Sequence, residues 1–398
     1  MDQQTQPSIW ANLHDRYATE QPRKILSLDG GGIRGIITLE ILEEMERQLR
    51  DELGKDEHFR LSDYFDYIGG TSTGAIIAAG LSLGMSVGQL LDFYLRKGKD
   101  MFDRNFLLDQ WKSLYDSGAL LAMLKDTFGA ETDMDIDNGK FKCLLMVCTM
   151  NRSTDSPWPI SNNPAAKYNA KTRADCNRKI RLYQLVRAST AAPVFFPPET
   201  LQWDPNDPDK RFVFVDGGVT PYNNPAFLLY RMATQPAYKL GWKIGERNLL
   251  IVSVGTGASP SEGAYNNVLD TAKNLPNNLL YAMQVDQDIN CRTVGRCTYG
   301  APIDRELHDM IPMDGAGNMT DLSQDTLRHF LYVRYNANLS EGGIRDLKLS
   351  RTVDPEEVRQ MDSVRYLDDL QLVGSATARQ QVKVAAHFGS FIKKSVQY

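Results

Sequence analysis

The chain has 398 residues, 42% hydrophobic and 24% charged, with a formal net charge of −5, the composition of a globular protein with ample material for a core, long enough for one large α/β unit with additions. Weak acidity argues against a general nucleic-acid binder, and the absence of any run of 18 apolar residues argues against a transmembrane helix. The opening MDQQTQPSIW lacks the basic start and apolar stretch of a secretory signal, and five cysteines at no metal-ligand spacing read as reduced, packed thiols of a cytoplasmic protein without a metal or cofactor.

In chain order, residues 1–22 form a polar leader. Arg23–Asp29 (RKILSLD) is a short apolar run, a buried strand, that ends at the glycines of GGGIRG. An amphipathic helix follows, with Ile37, Ile41, Leu42, Met45, Leu49 and Leu53 at helical spacing and Gly54 as its C-cap. Tyr64–Ile68 is strand-like and runs into GGTSTG, and Ala75–Leu83 is a small-residue helix. Ser86–Lys97 and Leu114–Phe128 read as helices, Lys140–Met150 as a buried strand, and Asn151–Ile180 as a long polar loop. A helix over Leu182–Ala191 precedes the turn AAPVFFPP. Strands over Arg211–Val215 and Asn248–Val254 end in Asp216-Gly217-Gly218 and Gly255-Thr256-Gly257.

Strands alternating with helices predict a mostly parallel, helix-covered sheet with its sites at the carboxyl ends of strands. Past residue 258 the strand signals thin. Ser259–Lys273 reads as loop, Tyr281–Asn290 and Asp321–Phe330 as weak helices, Phe330–Tyr335 and Leu347–Leu349 as candidate edge strands, and Asp354–Gln371 and Ala376–Lys394 as helices. The expected division is 1–22, 23–257 and 258–398.

Three motifs carry chemistry. Ser72 stands between Gly70 and Gly74 at the G-x-S-x-G spacing, after a strand and before a helix, as a nucleophile elbow requires. A helix N-terminus there favours a developing negative charge. GGGIRG fits two mechanisms: a dinucleotide turn, or a nest of N–H groups that binds an oxyanion. The dinucleotide reading wants an acid at the end of a second strand, whereas Asp51 and Glu52 end a charged helix. Asp216, after FVFV and before two glycines, is placed to accept a serine proton or, more simply, to make an Asx turn. Of the five histidines, His308, His329 and His387 follow Ser72 as a triad histidine would, but none lies in a glycine-rich strand end.

Together DGGGIRG (Asp29–Gly35), GTSTG (Gly70–Gly74), ASTAAPVFFPP (Ala188–Pro198), DGG (Asp216–Gly218) and SVGTG (Ser253–Gly257) resemble the patatin-like phospholipase family. The resemblance implies a three-layer α/β/α fold with a mostly parallel central sheet and a largely helical C-terminal extension. It implies a Ser72–Asp216 dyad that cleaves fatty-acyl esters of membrane phospholipids without a histidine. Ser72 would attack and Asp216 would act as base. The amides of Gly31 and Gly32, with Gly30 and Arg34 beside them, would hold the oxyanion, and Gly35, Gly70, Gly74, Gly217 and Gly218 would shape the turns. Some bacterial proteins of similar layout are antiphage effectors switched on by a cyclic nucleotide. The corresponding expectation is a cyclic di- or trinucleotide activator, a homodimer, no nucleic-acid polymer as partner, and action at the inner membrane as a peripheral protein.

Ser161–Arg187 concentrates Lys167, Lys171, Arg173, Arg178, Lys179, Arg181 and Arg187 against Asp175 alone, either a solvated surface or a patch for anionic headgroups. The rival readings are a constitutive acyl hydrolase, a nucleotide-binding α/β protein that uses GGGIRG, and a binding protein with an inert site.

Overall fold

The computed structural model describes residues 9–102, 118–193, 196–204, 206–258, 268–303 and 327–392. Nine strands make one sheet: β1 (Arg23–Leu28), β2 (Tyr67–Thr71), β3 (Leu144–Asn151), β4 (Ser156–Ser161), β5 (Glu199–Gln202), β6 (Arg211–Asp216), β7 (Leu249–Val254), β8 (Arg296–Tyr299) and β9 (Leu331–Tyr335). Their order is β5-β6-β3-β2-β1-β7-β9-β8, with β4 on β3. Strands β3, β2, β1, β7, β9 and β8 run parallel, while β4, β5 and β6 enter by antiparallel pairings. Every residue of β2, β7 and β9 is buried, as expected of parallel strands covered on both faces.

The main helices are α1 (Gly35–Glu52), α2 (Thr73–Ser82), α3 (Val87–Phe102), α4 (Gly118–Phe128), α5 (Leu182–Ser189), α6 (Ala226–Thr234), α7 (Val268–Val294) and α8 (Leu367–Gln381). Adjacent residues of a strand face opposite sides. A Cβ on Gly69 would press on Leu229 of α6, and one on Gly70 would overlap the Gly74 carbonyl of α2. Helices α6 and α2 therefore cover opposite faces, giving the three-layer α/β/α architecture expected. Gly54 (φ 61°) closes α1 as anticipated, with Lys55 N–H donating to the Arg50 carbonyl at 2.9 Å.

The sheet continues past the last sequence motif. Strand β9 was expected at an edge, but it lies between β7 and β8, and α8 packs on α1. One hydrophobic core runs from Leu13 to Ile392. Several elements differ from expectation. The loop 151–180 contains β4, whose Pro157 and Pro159 are tolerated because the strand is an edge. Helix α6 and strands β5 and β8 were not foreseen. Residues 268–273 are helix rather than loop, Leu347–Leu349 is a turn, and 354–371 holds only the short helix Pro355–Val358 and the start of α8. Of the expected helix 321–330, residues 327–330 are not helical and the rest lie outside the described residues, as do residues 1–8 of the leader and His308.

Candidate active site

Strand β2 ends at Thr71, and Ser72 turns the chain into α2 with φ 55° and ψ −124°. A side chain rarely adopts that conformation, so packing must enforce it. Glycine at 70 supplies the space: only a residue without Cβ lets β2 and α2 approach so closely. The Ser72 N–H donates to Ser189 Oγ at 2.9 Å, and Ser189 donates its own proton to the Cys148 carbonyl at 2.6 Å. Thr73 Oγ1 and the buried Tyr94 hydroxyl bond at the start of α2. Ser72 itself is half-buried, held firmly yet reachable.

Asp216 arrives by strand register. Strand β4 occupies one edge of β3 along its length, so β2 and β6 share the other. Thr71 lies opposite Cys148, and Asp216 lies opposite the next residue, Thr149. The end of β2 and the end of β6 thus meet on one edge, and Ser72 Oγ donates to Asp216 Oδ2 at 2.6 Å. Gly218 N–H donates to Oδ1 at 2.7 Å, and Gly217 packs against the Cys148 carbonyl. Burial pushes the Asp216 carboxyl up to about 6, against the bonds from Ser72 and Gly218 and the Arg187 charge. A carboxylate of that basicity is a better proton acceptor than an exposed one and is still ionised at neutral pH.

The glycine-rich turn lies against Ser72: a Cβ on Gly30 would stand 3.2 Å from Ser72 Cβ. The Gly30 N–H is spent on the Asn223 carbonyl at 3.1 Å. The Gly30 carbonyl accepts Thr256 Oγ1 at 2.9 Å and Asn223 Nδ2 at 3.4 Å. Because the peptide is trans, this fixes the Gly31 N–H in the opposite direction. The Gly31 and Gly32 amides have no partner among the described residues. Gly32 has φ 60° and touches the Met361 carbonyl, which also accepts the Ile33 N–H at 2.9 Å. Gly35 begins α1. The Arg34 guanidinium turns to the Arg359 carbonyl at 3.3 Å. Among the four residues expected to hold the oxyanion, the Gly31 and Gly32 amides have no partner among the described residues, the Gly30 N–H bonds the Asn223 carbonyl, and Arg34 bonds the Arg359 carbonyl through Nη1 while its buried Nε has none.

Ser189 and Arg187 of α5 were not singled out as site residues, although they belong to or border the ASTAAP stretch. Arg187 is buried, with its guanidinium 5.1 Å from the Phe196 ring centre and Nη2 on the Pro197 carbonyl at 3.2 Å. Other expectations resolve as packing. His329 bonds the Tyr230 hydroxyl and His387 the Tyr335 hydroxyl, and all five cysteines are free and buried. Asp51 lies within α1, paired with Arg47, so the acid of a dinucleotide turn is not on a strand. The basic stretch is largely neutralised, mostly from an earlier segment: Lys171 and Arg178 pair with Asp135 and Asp137 and Arg181 with Glu131, while Arg173 pairs with Asp175 of the stretch itself. No helix among the described residues is long and apolar enough to cross a membrane.

A family model described as patatin-like phospholipase matches residues 26–230, just over half of the chain. Patatin group M-3 of Solanum tuberosum is 30% identical over 253 residues, covering 60% of this chain and 62% of that protein. Patatin-2-Kuras 4 of the same organism is 30% identical over 274 residues, covering 65% and 69%. The chain thus spans about three-fifths of the length of the first of these relatives. Among solved structures, human GIVD cytosolic phospholipase A2 aligns with TM-score 0.48 at 11% identity, covering 96% of this chain and 62% of that one.

Proposed function

The chain belongs to the patatin-like phospholipase family, and we propose that it is a serine acyl hydrolase that cleaves fatty-acyl esters of membrane phospholipids with Ser72 and Asp216. The observation that carries this reading is the 2.6 Å bond from Ser72 Oγ, on its strained elbow, to the buried Asp216 carboxylate, a pair with no histidine hydrogen-bonded to it among the described residues.

In this mechanism Asp216 takes the Ser72 proton as Oγ adds to the ester carbonyl. The carbonyl oxygen becomes an oxyanion held by the Gly31 and Gly32 amides and the N-terminus of α2. Collapse breaks the ester C–O bond, and Asp216 returns the proton to the leaving lysolipid alcohol. Water then adds to the acyl-serine with Asp216 again as base, which releases fatty acid and restores Ser72.

The test is fatty-acid release from phospholipid vesicles by wild type, Ser72→Ala and Asp216→Ala, with and without cyclic di- and trinucleotides. Release by wild type and not by either variant supports the dyad. Equal release by Ser72→Ala rejects it. Dependence of the wild-type rate on one nucleotide would extend the reading to a switched effector, and independence would make the hydrolase constitutive.

A further inference from the structure

Asp29 follows β1 and opens the glycine-rich turn, and its side chain is fully buried. Arg334, next to last in β9, reaches it with both prongs: Nη1 donates to Oδ1 at 2.8 Å and Nη2 to Oδ2 at 2.6 Å. Register explains the reach. Ser27 of β1 lies opposite Ser253 of β7, and Ser253 lies opposite Arg334 of β9. The guanidinium must cross β7 to reach β1. It crosses at a serine, small enough to let it pass, whose Oγ accepts Nη1 at 2.7 Å. Ser253 in turn donates to Asn224 Oδ1 at 3.2 Å, two residues before α6. Two parallel bonds fix the plane of a carboxylate as well as its position, which a single donor cannot do.

We propose that Arg334 is a positioning residue for the oxyanion turn: it locks Asp29 so that the Gly31 and Gly32 amides face the carbonyl that Ser72 attacks. This rests on the acyl-hydrolase reading of the site. Arg334 lies beyond residues 26–230, in the third of the chain that carries no sequence motif. That third therefore serves the chemistry through one side chain that orders the turn, whatever else it does. Arg334 touches no reacting atom and acts only through the turn.

Phosphonylation of Ser72 by a fluorophosphonate reads the turn directly. As Oγ adds to phosphorus and fluoride leaves, the P=O oxygen occupies the oxyanion position. The variants are Arg334→Lys, which keeps the charge but loses the fork, and Arg334→Met. In Arg334→Lys the phosphonylation rate constant and kcat per labelled serine should fall about 10- to 100-fold, with KM changed by less than about twofold. The final number of labelled serines per chain should stay at the wild-type value. Arg334→Met should fall further in rate where it folds, and Arg334→Lys keeps the test open where it does not. A fall in labelled fraction with unchanged rate constant and kcat per labelled serine overturns the inference, because Arg334 then only holds the fold. Wild-type rates in both variants overturn it as well. Failure of the unmodified protein to label at Ser72 instead rejects the hydrolase reading, and is told apart by being visible before any substitution.

Discussion

The hydroxyl of Ser189 accepts the backbone N–H of Ser72 at 2.9 Å, so the amide of the elbow serine is held by a side chain from a different helix. The Ser189 proton goes to the Cys148 carbonyl, which leaves its oxygen free to accept. Ser189→Ala strands the Ser72 N–H and the Cys148 carbonyl in a buried region, at a cost of about 1–3 kcal/mol for each unsatisfied group. The expected result is a lower denaturant midpoint together with a reduced kcat. Unchanged stability and turnover would mean the elbow is set by the glycines alone.

The elbow also reverses the usual ranking of alanine over glycine. Ser72→Gly and Ser72→Ala both remove the hydroxyl and its bond to Asp216. They differ in backbone freedom at φ 55°, ψ −124°. Ser72→Gly should be the more stable of the two by about 1–2 kcal/mol in chemical denaturation. An alanine variant as stable as glycine would show that the turn stores no strain.

Asp216 gives the pH dependence a definite sign. With its carboxyl pushed up to about 6, kcat/KM should rise through that region as the base ionises and then level off. Stability moves the other way. A carboxyl whose folded pKa exceeds its unfolded value favours folding while protonated, and loses that contribution as pH rises through the folded pKa. Asp216→Asn should therefore gain stability over wild type between pH of about 4 and about 8, by up to about 3 kcal/mol. Denaturant midpoints of both proteins at both pH values check this, and an equal difference at the two would contradict it.

Arg187 opposes the burial that raises Asp216. Replacing it with methionine removes that charge while keeping a long apolar stem beside Phe196. The acid limb of the kcat/KM profile should shift to higher pH in Arg187→Met. An unmoved limb would show that the guanidinium is too distant to matter.

Much of this site was legible. The elbow, the glycine-rich turn and Asp216 each combine a required residue type with a strand end, and such signals are local. Their meeting was not. It depends on β3 sharing one edge between β2 and β6, a pairing that no window of sequence contains. The partners of the basic stretch were hidden for the same reason, because Glu131, Asp135 and Asp137 lie roughly 40 residues upstream of the charges they neutralise. Two prolines disguised β4. Arg334 left no signal at all, since a single arginine in an apolar strand acquires meaning only from the strand beside it.

The 305-residue separation of Asp29 and Arg334 also orders events in time. Chains grow at about 5–20 residues per second, so the glycine-rich turn waits roughly 15–60 s for its partner during synthesis. Strand β1 likewise needs β7 before it is flanked on both edges. Such distant pairings make folding slow. They also mean that the elbow and its serine exist on the ribosome well before the turn beside them is set. On the proposed role of Arg334, the site is completed only once β9, the last of the nine strands along the chain, has been made.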